Sequence, residues 1–161
     1  MPQGDIEIVQ VQFENARFLP EVVNFLNEGK TITLSLRGYS MRPFLEDNRD
    51  KALLKKAENP QVGEPVLAEV SPKHYVLHRI INIDGNKVTL RGDGNIANEY
   101  CTLSDVKAQV IGFYRKGRKK LDLTSGWKWR MYSKLWMELY PVRHYLLSFY
   151  RRIWIPLFGT V

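Results

Sequence analysis

The sequence predicts a mainly β fold: an antiparallel, partly closed and coiled β-domain with a helix before it and an amphipathic helical tail after it. Three observations carry that expectation. Short apolar runs alternating with period two recur between residues 31 and 115, turn signals separate them at intervals of about eight to twelve residues, and helical periodicity takes over on both sides. The chain divides accordingly into an N-terminal segment with one helix (1–30), a β-rich domain (31–115) and a basic aromatic tail (116–161). No internal repeat, low-complexity tract or regular exchange of strand and helix points elsewhere.

In residues 15–27, Phe18, Leu19, Val22, Val23 and Leu26 fall at helical spacing and Glu28-Gly29-Lys30 supplies a stop, so an amphipathic helix packed on the sheet is expected. Residues 31–37 alternate and suit a half-buried pleated surface; this strand delivers the chain to Ser40. Further strands are expected at 51–55, 65–70, 75–83, 87–91 and 106–114. Asn59-Pro60, Gly63-Glu64, Ser71-Pro72 and the hairpin signal Asp84-Gly85-Asn86 punctuate them. From Trp127 to about Trp154 the period is helical. Met131, Tyr132, Leu135, Trp136, Leu139 and Tyr140 gather on one side, Pro141 interrupts, and Val142, Leu146, Phe149, Tyr150 and Ile153 form a second apolar stripe.

A chain of 161 residues holds one ordinary domain with an appendage and needs no disulfide staples to fold. The single cysteine, Cys101, has no thiol neighbour for a disulfide or a zinc site and reads as a small half-buried residue. No metal or other cofactor is expected. The formal charge of +7 is unevenly placed: residues 115–161 hold eleven Lys or Arg against two acidic residues, and residues 1–114 hold thirteen against fifteen. All four Trp residues also lie in the tail. Neither a secretory leader nor an uninterrupted apolar run of about 18 to 20 residues is visible, so a cytoplasmic or peripherally membrane-associated protein is the expectation.

The chemistry centres on Ser40. It follows a strand, sits near Gly38 and precedes Pro43, in the segment Gly38-Tyr39-Ser40-Met41-Arg42-Pro43-Phe44-Leu45. A serine needs a base and an oxyanion donor before it is a useful nucleophile, so an ordinary strand-end turn stands beside the catalytic reading. Three further segments follow in order: Val62-Gly63-Glu64-Pro65-Val66-Leu67, Leu77-His78-Arg79-Ile80-Ile81 and Leu90-Arg91-Gly92-Asp93-Gly94-Asn95.

Taken together, these segments resemble the type I signal peptidases, over roughly residues 30–115. The first resembles their nucleophile box, the His78 segment their general-base box in its histidine form, and the last their glycine-aspartate-asparagine box. The resemblance implies a coiled β-domain of the signal-peptidase type and a serine endopeptidase that processes a protein or peptide precursor. It implies Ser40 as nucleophile, His78 as general base and then acid, and Asp93 as the group that orients the imidazole. Neutral histidine suits that work because its ordinary pKa is about 6.5. Arg79 stays protonated and is no base; packing or an acidic partner is its expected role.

Gly38 stands where many bacterial relatives carry a hydroxyl residue, leaving the Ser40 amide as the expected oxyanion donor. Glu99 is the candidate for a second acidic residue, with a solvated loop as its alternative. His74 and His144 read as structural, and Lys55 or Lys56 would be the base only if histidine were not. Self-cleaving proteases of the SOS-repressor type share the resemblance but use a lysine base. A catalytically silent, membrane-associated binding module of the same fold is the reading from another class. For the tail, a membrane surface is the expected partner, packing on the β-domain or a second copy is the alternative, and nucleic acid, favoured only by the basic run Arg115-Lys116-Gly117-Arg118-Lys119-Lys120, is the weakest.

Overall fold

A computed structural model describes residues 9–11, 18–115 and 118–161. Its main feature is one sheet, mainly antiparallel, in the order β1-β2-β3-β8-β4-β5-β6-β7. The strands are β1 (Val9–Val11), β2 (Ile32–Ser35), β3 (Lys51–Lys56), β4 (Pro65–Ser71), β5 (His74–Asp84), β6 (Lys87–Arg91), β7 (Glu99–Thr102) and β8 (Val106–Tyr114), with β9 (Asp122–Leu123) pairing β8 beyond the end of β4. Among the described residues only the β1–β2 pair is parallel. The β4–β7 portion curls until β7 lies beside β4, yet the sheet does not close.

That curl explains why β4 reads as an unbroken apolar run. Pro65, Val66, Leu67 and Ala68 are all buried because β4 lies between two cores. Leu67 points into the larger one, with Ile32, Leu34, Ala52, Leu54, Ala108, Val110 and Phe113, which α1 (Leu19–Asn27) covers through Val22 and Leu26. Val66 and Ala68 point the other way, into a smaller core with Ile80, Val88, Leu90 and Val106. Successive side chains on a strand face opposite sides of the sheet, so both faces must be apolar where both are covered. A bulge in β8 opposite Leu67 and Ala68 turns Val106 into the smaller core while Ala108 and Val110 stay in the larger.

The expected helix over 15–27 is realised from Leu19; residues 15–17 lie outside the described residues. All six expected strands are present, and β1, β7 and β9 are additional. These three are short, at two to four residues, too few for alternation to register.

In the tail, α2 (Trp127–Glu138) and α3 (Tyr140–Phe149) meet at Leu139, with Pro141 in the first turn of α3. A π-helical stretch, Tyr150–Trp154, and a last turn, α4 (Ile155–Phe158), follow. The apolar stripes seen in the sequence pack only in part. Of their residues Trp136 and Tyr150 are buried, and the domain buries Trp129, Ser133, Arg143 and Leu147 beside them. Met131, Tyr132, Leu135, Val142, Leu146, Phe149 and Ile153 are exposed. Two of the packed side chains, Ser133 and Arg143, are polar and reach hydrogen-bond partners, so hydrophobicity alone does not mark that face.

Candidate active site

The turn that carries Ser40 is held by a buried carboxylate. After β2, the Leu36 amide donates to the Asp50 carbonyl at 2.9 Å and the Asn48 amide returns to the Leu36 carbonyl at 2.9 Å. The fully buried Asp50 side chain accepts from the Glu46 amide at 2.9 Å and from Arg49 Nε and Nη2 at 2.9 and 2.7 Å. Arg42 forks onto Glu46 in the same segment. Charge-assisted bonds of this kind fix a loop more firmly than neutral ones. Gly38, at φ +81°, lets the chain turn out of the strand, and its amide is spent on Asp47 Oδ1 at 2.7 Å. The Ser40 amide donates to none of the described residues, which leaves it free to receive an oxyanion.

Facing this turn is the β6–β7 loop, whose glycines are required by close approach. The Gly94 amide donates to the Ser40 carbonyl at 2.7 Å. A Cβ at Gly92 would lie 2.4 Å from the Ser40 carbonyl oxygen and 3.0 Å from His78 Nε2, and a Cβ at Gly94 would lie 2.6 Å from the Tyr39 carbonyl oxygen. Thus the loop, the serine turn and the imidazole are in mutual contact with no room for a methyl group. His78 Nε2 and Ser40 Oγ share no hydrogen bond; Nε2 and the Ser40 carbonyl both lie against Gly92. Sites without substrate commonly hold such pairs apart until the substrate is bound.

His78 lies at the centre of β5, opposite Val66, and is 4% exposed. Its Nδ1 approaches Glu99 Oε2, at the start of β7, to 2.5 Å; neither atom has another polar partner, and the contact becomes an ion pair only when the imidazole is protonated. Asp93 does not orient the imidazole, contrary to the expectation. Its carboxylate is taken at both oxygens by Arg79, with Nε–Oδ1 at 2.8 Å and Nη2–Oδ2 at 2.6 Å. The reason is alternation: Arg79 follows His78 on the strand and projects to the opposite face, where Asp93 meets it. Asp93 still lies close enough to act on His78 through its charge.

No family model matches the chain, and no curated protein matches its sequence.

The Arg79–Asp93 pair joins the tail to this loop. Arg79 Nη1 donates to the Gly63 carbonyl at 2.8 Å and to Ser133 Oγ of α2 at 2.5 Å. Trp136 Nε1 donates to the Asp93 carbonyl at 3.0 Å, and Arg143 Nη2 to the Trp136 carbonyl at 2.5 Å. Ser133 and Trp136 had no signal in the sequence that tied them to the site, since the contact is made only once α2 has docked.

Two clefts adjoin Ser40. One, about 140 Å³, is lined by Leu34, Leu36, Met41, Leu45, Leu67 and Leu77 among others. The second, about 320 Å³, lies between Tyr39, Ser40 and Arg42, the loop residues Gly94 and Asn95, and Leu147, Tyr150 and Arg151 of the tail. A larger cleft of about 730 Å³, bounded by Lys55, Gln109 and Arg130, contains none of Ser40, His78, Asp93 or Glu99. Lys55 and Lys56 are exposed on β3, Lys55 in that remote cleft. His74 and His144 are exposed. Burial pushes the half-buried Cys101 thiol up to about 11, so it is protonated and unreactive at neutral pH. Among the described residues no three side chains are grouped to hold a metal ion.

Burial holds the His78 pKa below its ordinary 6.5, with the Glu99 carboxylate opposing that shift. The imidazole is therefore neutral at pH 7. As pH falls, the unfolded chain takes up the proton before the folded one does. The stability tied to His78 is accordingly whole above about pH 6.5 and declines below it. If His78 is the base, the acid limb of activity lies below pH 6.5, and Glu99→Gln moves it further down because the opposing carboxylate is gone. A pH–rate profile of both proteins checks this; a limb that rises in Glu99→Gln contradicts it.

Proposed function

We propose that this chain is a serine endopeptidase of the signal-peptidase type, acting on an extended segment of a protein or peptide precursor. The observation that carries the reading is the imidazole of His78, held at Nδ1 by Glu99 and turned with Nε2 toward the Ser40 turn across Gly92. A base fixed at one nitrogen by a carboxylate, with the other facing a serine, is the arrangement acyl transfer needs.

In the reaction, Ser40 Oγ bonds to the scissile carbonyl carbon as its proton passes to His78 Nε2. The carbonyl electron pair moves onto oxygen, where the Ser40 amide donates to it. Collapse of that adduct breaks the C–N bond, and the leaving amine takes the proton from Nε2. Water then repeats the sequence against the acyl-serine, regenerating Ser40. Glu99 stabilises the imidazolium formed at each stage. Asp93 is a positioning residue: with Arg79 it fixes the loop that bears Gly92 and Gly94. The cleft lined by Leu34, Leu36, Met41 and Leu77 suits an apolar substrate side chain beside the cut.

Incubation with a proteome-derived peptide library, with cut sites mapped by mass spectrometry, tests the reading. New termini flanked by a recurrent apolar residue are expected with the wild type and absent with Ser40→Ala. Equal cleavage by the two proteins would sink it.

A further inference from the structure

We infer that the outer face of α2, α3 and the turns after them is a docking surface for an anionic lipid bilayer. This inference stands apart from the peptidase reading, since it uses none of the residues assigned to catalysis. Its basis is the stripe left uncovered when the tail packs on the sheet. Along α3 and beyond, Val142, Leu146, Phe149, Ile153 and Leu157 recur at helical spacing and are 38 to 69% exposed, beside buried Arg143, Leu147 and Tyr150. Trp127, Met131 and Leu135 form a like row on α2. A domain with its own core does not need so many large apolar side chains in water, and contiguous patches of this sort mark an interaction surface.

Charge selects the occupant. The eleven Lys and Arg of residues 115–161 face two acidic residues. Among the described residues no tail Lys or Arg is paired with a carboxylate. Apart from buried Arg143, which Asp93 attracts, this positive charge has no carboxylate partner among the described residues, and an anionic partner fits it. Two copies meeting through this face would oppose like charge to like. Nucleic acid offers anions, but Leu146, Ile153 and Leu157 are aliphatic and have no ring to stack on bases. An anionic bilayer accepts all the groups at once: aliphatic side chains in the acyl boundary, indole and phenol rings at the headgroups, and Lys and Arg against the phosphates. The helices would lie along the surface, as none among the described residues is long and apolar enough to cross a membrane.

Vesicle flotation tests this with the full chain, using phosphatidylcholine alone and phosphatidylcholine mixed with phosphatidylglycerol, each at low and high salt. The wild type is expected to float with the mixed vesicles, less so at high salt, and to remain unbound with phosphatidylcholine alone. Leu146→Glu/Ile153→Glu should lower partitioning at least about tenfold. The exposed sites make an unchanged circular-dichroism melt the expected companion result. Three outcomes overturn the inference: no flotation with mixed vesicles, equal flotation of wild type and double variant, or a nucleic-acid shift without lipid binding. A dimer in sedimentation velocity that the double variant dissolves, with no lipid binding, also overturns it and assigns the face to a second copy.

Discussion

Gly92→Ala should disable the site while leaving most of the sheet standing. The added methyl would meet the Ser40 carbonyl oxygen at 2.4 Å and His78 Nε2 at 3.0 Å. The first neighbour is backbone, in a turn already fixed by Asp50 and Gly94, so it has little freedom to yield. Overpacking of this kind costs about 1–3 kcal/mol. A displacement of about 1 Å between reacting groups can cost about 10²-fold in rate. Both effects are expected: a modest fall in melting temperature and a loss of cleavage of at least that size. Gly85→Ala, in a remote hairpin with nothing within 4 Å of the added atom but with φ at +56°, should lower the melting temperature through backbone strain and keep its cleavage rate. Near-wild-type cleavage by Gly92→Ala would contradict the packing of imidazole, glycine and serine turn described above.

The largest stability effect is expected at Asp93. Arg79 and Asp93 are each about 1% exposed, and the guanidinium is aimed at Asp93, Gly63 and Ser133. Asp93→Ala leaves that charge buried and unpaired, and breaking such a pair costs about 3–5 kcal/mol. For a domain of this size the melting temperature should drop by roughly 10 °C or more. Arg79→Met should cost a similar amount, and the double variant Arg79→Met/Asp93→Ala much less than the two together, because it removes both buried charges. Additive losses would mean that the two do not form one unit. Glu99→Gln forms the contrast. The Glu99 side chain is 33% exposed and, among the described residues, its polar contact is with the imidazole, so its replacement should leave the melting temperature nearly unchanged and act on rate.

The β-domain was legible because its strands alternate and its turns carry Gly, Pro and Asn. The segments around Ser40, His78 and Gly92 were legible as a set, and the fold brings all three together. Which carboxylate meets the imidazole was not. The resemblance assigned Asp93, but the side taken by Arg79 along β5 claims Asp93, and the pairing of β6 with β7 brings Glu99 to His78. That is a matter of register, and β7 is too short for its register to be read from its residues. The tail misled for another reason. Its apolar stripes are conspicuous, yet of their residues the domain buries Trp136 and Tyr150 and otherwise grips the helices through Trp129, Ser133, Arg143 and Leu147, Ser133 and Arg143 being polar and satisfied by hydrogen bonds. Periodicity reports where apolar side chains lie on a helix; it does not say which partner covers them.

Ser40 as nucleophile and His78 as its base are tested most directly by turnover of one library-derived peptide by wild type, Ser40→Ala and His78→Ala, with the fold of each checked by its melt. Both variants should lose about 10⁴-fold or more in kcat/KM. Cleavage at the wild-type rate by either folded variant would contradict the assignment.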